Sequence, residues 1–152
     1  MSSALDREDP HSAPTSRSTL GHHLLLELSD CDSIVLDDLV VTQEIIRAAA
    51  DAMGAHIVDA TFYRYQPQGV SGVLLLAESH LSVHTWPERA YAAIDAYTCG
   101  DIDPCDAIPL LQDHLKAKAA TVTRILRGHT DDMPMSPQQG WSRVTDLHCA
   151  TW

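Results

Sequence analysis

Glu78-Ser79-His80-Leu81-Ser82-Val83-His84-Thr85-Trp86-Pro87-Glu88 packs one Glu, two Ser and two His into its first seven residues, and its periodicity decides how the rest is read. Alternation with a period of two predicts a strand, with His80, Ser82, His84 and Trp86 on one face. Leu81, Val83 and Thr85 then point into a core. A strand that gives one face to histidine and serine presents chemistry or an interface, because half-buried polar groups need partners.

The stretch Tyr91 to Gly100 alternates as well, with Tyr91, Ala93, Asp95, Tyr97 and Cys99 on one side. Pro87 to Ala90 lies between the two runs as a turn, which is a hairpin signal. The hairpin can carry the Cys99 thiol toward the Ser/His face. His80 and His84 at i, i+4 would be a zinc pair on a helix. Leu81, Val83 and Pro87 argue for a strand instead, and no third ligand of standard spacing follows, so no metal is expected.

Outward from the hairpin, His22 to Leu28 predicts a first strand and Ser29 to Asp32 a turn. Cys31 reads as a small structural thiol. Asp37 or Asp38 can cap a helix running to about Met53, with Gly54 as its stop. Leu39, Ile46 and Ala49 repeat at helical spacing. His56 to Tyr65 predicts a second strand, whose aromatic residues either pack the sheet or form a stacking surface for a flat ring. Pro67 to Gly72 reads as a turn with two glycines, and Val73 to Ala77 as a short buried strand feeding into Glu78-Ser79. Asp103 and Pro104 open a second helix running to about Lys116, with Pro109 disturbing its start. Ala120 to Leu126 predicts the last strand. Residues 1–20 read as a disordered arm and 128–152 as a polar tail, in which Trp141 and Trp152 suggest partial docking.

The order β-α-β-β-β-β-α-β predicts an α+β fold, a two-layer sandwich with one antiparallel sheet and both helices on one face. The other face of the sheet is left to water unless a second subunit covers it. A chain of 152 residues supports one domain. Ten basic against 21 acidic residues give a net charge of −11, which argues against nucleic-acid binding. Four scattered cysteines show no metal or disulfide pattern, and no run spans a bilayer or resembles a secretory signal. These features predict a cytoplasmic protein, without membrane association and with reduced thiols.

At these residues the chain resembles a known family. ESHLSVHTWPE, followed by YAAIDAYTCGD and preceded by PQGVSG, is similar to the prokaryotic S-adenosylmethionine decarboxylase proenzymes, from about His22 to about Arg127. The resemblance implies a precursor that cleaves itself between Glu78 and Ser79 into a β chain, 1–78, and an α chain, 79–152. Ser79 would become a covalent pyruvoyl group, the carbonyl that forms a Schiff base with substrate. Ser71 would stabilise the oxyanion and ester during processing, and His84 would act as processing base. Cys99 would return a proton to the substrate's α-carbon; a thiol of ordinary pKa near 8.5 is mostly protonated at neutral pH. Tyr65 would stack on the adenine and Glu88 would bind the ribose hydroxyls. The family fold is a sandwich that dimerises sheet to sheet, with active sites at the interface.

The implied reaction converts S-adenosylmethionine to its decarboxylated form, an aminopropyl donor for spermidine biosynthesis. Four positions depart from the family's usual wording: Ala77 for Ser, Tyr65 for Phe, and Arg89-Ala90 for Tyr-Gly. Arg89 beside Glu88 could repel a sulfonium, pair with Glu88 or face solvent. Arginine or ornithine decarboxylation with the same fold and cofactor is the alternative. An inactive regulatory subunit and an unprocessed nucleoside-binding module are the readings of a different class.

Overall fold

The computed structural model describes residues 20–128 and the backbone of Trp141–Ser142. The expected arm and most of the expected tail, including Trp152, lie outside the described residues. Seven strands form one sheet: β1 (Gly21–Ser29), β2 (Ile57–Arg64), β3 (Val70–Leu76), β4 (Ser79–Trp86), β5 (Tyr91–Cys99), β6 (Ala119–Arg127) and β7 (Trp141–Ser142). Their spatial order is β2-β3-β4-β5-β1-β6-β7, and every neighbouring pair is antiparallel. The short β7 pairs Thr123 with Trp141, so part of the tail docks as an added edge strand.

Helices α1 (Ser33–Asp37), α2 (Leu39–Ala52) and α3 (Ile108–His114) cover one face. Between them and the sheet lies an aliphatic core that includes Leu24, Leu26, Leu36, Ile46, Leu74, Leu81, Val83 and Leu111. The α+β sandwich expected from the pattern is the observed fold. Leu81, Val83 and Thr85 are buried as the alternation required. Thr85 is tolerated there because its hydroxyl accepts from Val70 N–H at 2.8 Å and donates to the Leu36 carbonyl at 2.8 Å.

Three local expectations change. A separate helix, α1, precedes the predicted one: Asp32 caps it, and Asp38 both ends it and caps α2. Ser71 and Gly72 belong to β3 and not to the turn. Gly72 stands opposite Phe62, whose ring occupies the space a Cβ would need, so the glycine serves close packing. The second predicted helix begins as a tight turn over Pro104–Ala107, and regular α-helix starts only at Ile108, with Pro109 in its first turn. No helix among the described residues is long and apolar enough to cross a membrane.

Burial pushes the Cys31 thiol up to about 11, in keeping with a structural role. Cys31 and Cys99 are free thiols, as expected, whereas Cys105 is disulfide-bonded and departs from the expectation of reduced thiols.

Asp37 ties the end of α1 to the β2–β3 edge. Gly69 N–H donates to its Oδ1 at 2.9 Å and Arg64 Nη2 to its Oδ2 at 2.6 Å. Those two bonds, the Gly69 one first, hold its carboxyl below its ordinary 3.8. A depressed folded-state pKa stabilises above the unfolded value and loses that contribution as pH falls through the folded one. Asp37→Asn should therefore lower the unfolding midpoint near pH 6 and flatten its decline toward pH 3, read by denaturant titration across that range; parallel curves for both proteins would remove Asp37 from this role.

Candidate active site

The face of the sheet away from the helices carries Ser71 and Leu75 from β3, His80, Ser82, His84 and Trp86 from β4, and Asp95 and Tyr97 from β5. Strand alternation puts them there, since their in-between neighbours are buried. The candidate residues fall into two groups at opposite ends of this face.

At one end, the β3–β4 hairpin turns through Ala77-Glu78 and delivers Ser79, which pairs with Thr98 of β5. The Glu78 carboxylate accepts from His56 N–H at 3.0 Å and from His56 Nδ1–H at 2.7 Å. These bonds, the side-chain one first, hold the Glu78 carboxyl below its ordinary 4.5. Ala77 N–H donates to the His56 carbonyl at 2.8 Å, and Cys99 N–H donates to the Glu78 carbonyl at 3.0 Å. The carbonyl expected to be attacked is thus already polarised by a backbone donor.

Ser79 has φ = 141°, a conformation L-residues rarely adopt and one that costs on the order of 1–3 kcal/mol. Its consequence is geometric. Tetrahedral geometry sets Cβ about 120° from the carbonyl carbon, so this φ leaves Ser79 Cβ roughly 20° from eclipsing the Glu78 carbonyl carbon. That is the arrangement a five-membered ring through the Glu78 carbonyl carbon and Ser79 N, Cα, Cβ and Oγ requires. At an ordinary strand φ, Cβ swings away and Oγ cannot reach. The same rotation brings Ser79 Oγ within 3.3 Å of His80 Nδ1, although adjacent strand residues normally point to opposite faces.

At the other end, Ser71 pairs with His84 across β3 and β4, and Ser71 Oγ lies 2.7 Å from His84 Nδ1. Tyr65 sits beside them, its ring 5.0 Å from that of Tyr63, which pairs with Ser71. Glu88 follows β4 and accepts from Gln68 Nε2 at 3.0 Å. Arg89 is exposed, so of the three readings of that residue the solvent-facing one describes its position. A cleft of about 570 Å³ lies on the α1 side of Glu88, with Ser33, Asp37, Asp38, Gln68 and Glu88 in its walls; Ser71, His84 and Tyr65 do not line it.

His84 stands five positions beyond Ser79 on the same strand, roughly 16 Å away at the usual rise per residue. One chain therefore brings Ser79, Glu78 and Cys99 together, and separately Ser71, His84, Tyr65 and Glu88, but does not join the groups. His80 and His84, on a strand, are too far apart to share a metal ion. Three contributors escaped the sequence reading: His56, the Cys99 N–H and Gln68. Counting the hairpin register back from Pro67–Gly69 would have brought His56 near Glu78, but a register shift between Ile57 and Asp59 spoils the count.

If the grip on His56 maintains the Ser79 backbone, Glu78→Ala should slow the expected chain cleavage roughly tenfold, in line with 1–3 kcal/mol of strain. Glu78→Gln, which keeps an acceptor for His56, should be affected less. A gel time course of fresh precursor checks this, and equal rates for the alanine variant and the parent would rule it out.

The model of the family described as S-adenosylmethionine decarboxylase matches residues 22–128. The S-adenosylmethionine decarboxylase proenzyme of Caldanaerobacter subterraneus subsp. tengcongensis is 46% identical over 112 residues, 73% of this chain and 90% of that protein. The protein of the same name from Thermotoga maritima is 47% identical over 116 residues, 76% of this chain and 89% of its own length. The crystal structure of the adenosylmethionine decarboxylase from Aquifex aeolicus superposes with a TM-score of 0.71 at 33% identity, covering 78% of this chain and 98% of that one. On sequence and fold together, the chain belongs to the S-adenosylmethionine decarboxylase family.

Proposed function

We propose that the chain is a self-processing, pyruvoyl-dependent decarboxylase of S-adenosylmethionine that works as a sheet-to-sheet dimer in the cytoplasm. The observation that carries this reading is the Ser79 backbone, which turns the hydroxyl-bearing carbon toward the carbonyl before it.

Processing starts when Ser79 Oγ attacks the Glu78 carbonyl carbon, with the developing oxyanion held by Cys99 N–H. The C–N bond breaks, the amide nitrogen takes a proton, and the acyl group rests on Oγ as an ester. Removal of the Ser79 Cα proton then breaks the Cβ–Oγ bond and expels Glu78 as a carboxylate. Water hydrolyses the resulting dehydroalanine to the pyruvoyl ketone and ammonia. Ser79 fits this origin of the group, since nucleophile, electrophile and oxyanion donor already stand in place. The pyruvoyl group, once formed, supplies the carbonyl that captures the substrate amine and accepts the electron pair left by CO2.

The base for the elimination is His84 of a second copy, oriented by its hydrogen bond with Ser71. Within one chain His84 is too distant, and the sheet face between the two groups exposes Tyr63, Val73, Leu75, Trp86 and Ile125. A two-fold axis at the middle of this face would lay the Ser71–His84 end of one protomer on the Ser79–Cys99 end of the other. Ser71 then serves His84, while Cys99 N–H fills the oxyanion role that the sequence suggested for Ser71. Tyr65 and Glu88 travel with His84 and would bind the adenine and ribose across the interface. Cys99, exposed and next in sequence to Thr98, the strand partner of Ser79, would protonate the substrate's α-carbon. Arginine or ornithine as substrate, and an inactive or merely nucleoside-binding role, draw no support from the relatives described above.

Two outcomes test this. Ser79→Ala and His84→Ala should each fail to give the finished α chain when expressed alone. Co-expressed, they should yield processed α chain from the His84→Ala copies, because each of those would meet an intact His84 on its partner. Absence of that complementation in gels and intact-mass spectra would exclude the shared site. Cys99→Ala should still be cut but release CO2 from S-adenosylmethionine at least ~100-fold more slowly, whereas an unchanged rate would take Cys99 out of the acid role.

A further inference from the structure

We propose that His80 is the catalytic base of the first processing step, taking the proton from Ser79 Oγ as it attacks Glu78, so that ester formation completes within a single chain. The inference rests on the self-processing reading above and adds a residue and a division of labour to it.

A backbone turned for attack, an oxyanion donor and a ring nitrogen beside the hydroxyl stand together at one end of the sheet in one protomer. The Ser79 φ points Cβ at the scissile carbonyl, Cys99 N–H holds the carbonyl oxygen at 3.0 Å, and His80 Nδ1 lies 3.3 Å from Oγ. A serine hydroxyl can donate only to an unprotonated ring nitrogen, so in the reactive form His80 carries its hydrogen on Nε2 and accepts through Nδ1. The imidazole is wedged against Tyr97 and His23, with ring centroids 6.1 and 6.2 Å away, which keeps Nδ1 beside the hydroxyl. The Oγ–H bond breaks to His80 as the Oγ–C bond forms. The protonated imidazole, still adjacent, then gives that proton to the departing Ser79 nitrogen, leaving His80 neutral and the ester intact. His84 lies roughly 16 Å along β4 and cannot serve this step in the same chain. Its partner-supplied ring is left with the elimination.

Hydroxylamine cuts an ester but not an amide, so it reads the first step directly. Full-length precursor carrying His84→Ala, made by in vitro translation, should become cleavable by hydroxylamine after Glu78, leaving serine at the start of the 79–152 fragment. Adding His80→Ala should slow the appearance of the cleavable form about 100-fold or more. His80→Asn, which keeps a hydrogen-bonding side chain of similar reach without a proton-accepting nitrogen, should be slowed as much and provides the test should the alanine variant not fold. An unchanged rate in either folded variant overturns the proposal. Recovery of the rate by asparagine overturns it too, by making His80 a positioning residue. A parent chain that never cleaves would instead sink the self-processing reading itself, and this inference with it.

Discussion

The hydrogen bonds that pin the Glu78-Ser79 turn are what the rest of the structure depends on for its chemistry. His56 grips the Glu78 carboxylate twice, and Cys99 N–H grips its carbonyl. Between those fixed points Ser79 is held at φ = 141°. A backbone in that region relaxes unless its surroundings forbid it. Here His56, just before β2, and Cys99 at the end of β5 each supply part of the restraint on β4, so the strain belongs to the sheet and not to the turn alone. The strain turns Ser79 Cβ toward the Glu78 carbonyl carbon, which is the service the proposed chemistry would ask of it.

The sheet has a second duty. Its inner face is aliphatic and packs under three helices; its outer face carries histidines, serines, aromatics and exposed aliphatics together. A strand cannot fold back on itself, so residues at its two ends cannot meet within one sheet. The proposed chemistry would bring Ser79 and His84 to one reacting centre, yet both sit on β4. The proposed second copy would resolve this, and it would also cover an apolar face otherwise left to water. On this reading the same geometry would divide the work: the residues proposed to make the ester lie on one protomer, and those proposed to finish it on the other.

Stability and function pull in different directions at the turn. Asp37 with Arg64 and Gly69, and Thr85 with Val70 and Leu36, are satisfied polar contacts in ordinary geometry that tie the outer strands to α1. They stabilise the end of the sheet opposite Ser79. At the Ser79 end, polar contacts hold an unfavourable backbone in place, and breaking the peptide bond there would release it. Cleavage would thus be favoured by the native structure itself.

The alternation of β4 and β5, the caps at Asp38 and Asp103, the α+β architecture and the family were all legible in the residues, because hydrophobic period and local capping depend on neighbours in sequence. The candidate residues were legible too, as words in a motif. Their grouping was not. Contacts between residues 22 positions apart, such as Glu78 with His56, depend on strand register, and one shift in β2 hides that register from the sequence. The boundary of α1, the place of Ser71 inside a strand and the φ of Ser79 likewise come from packing that no local preference encodes. The tertiary structure alone decided which residues gather around Ser79 and which around His84, since the choice of neighbours is set by the sheet.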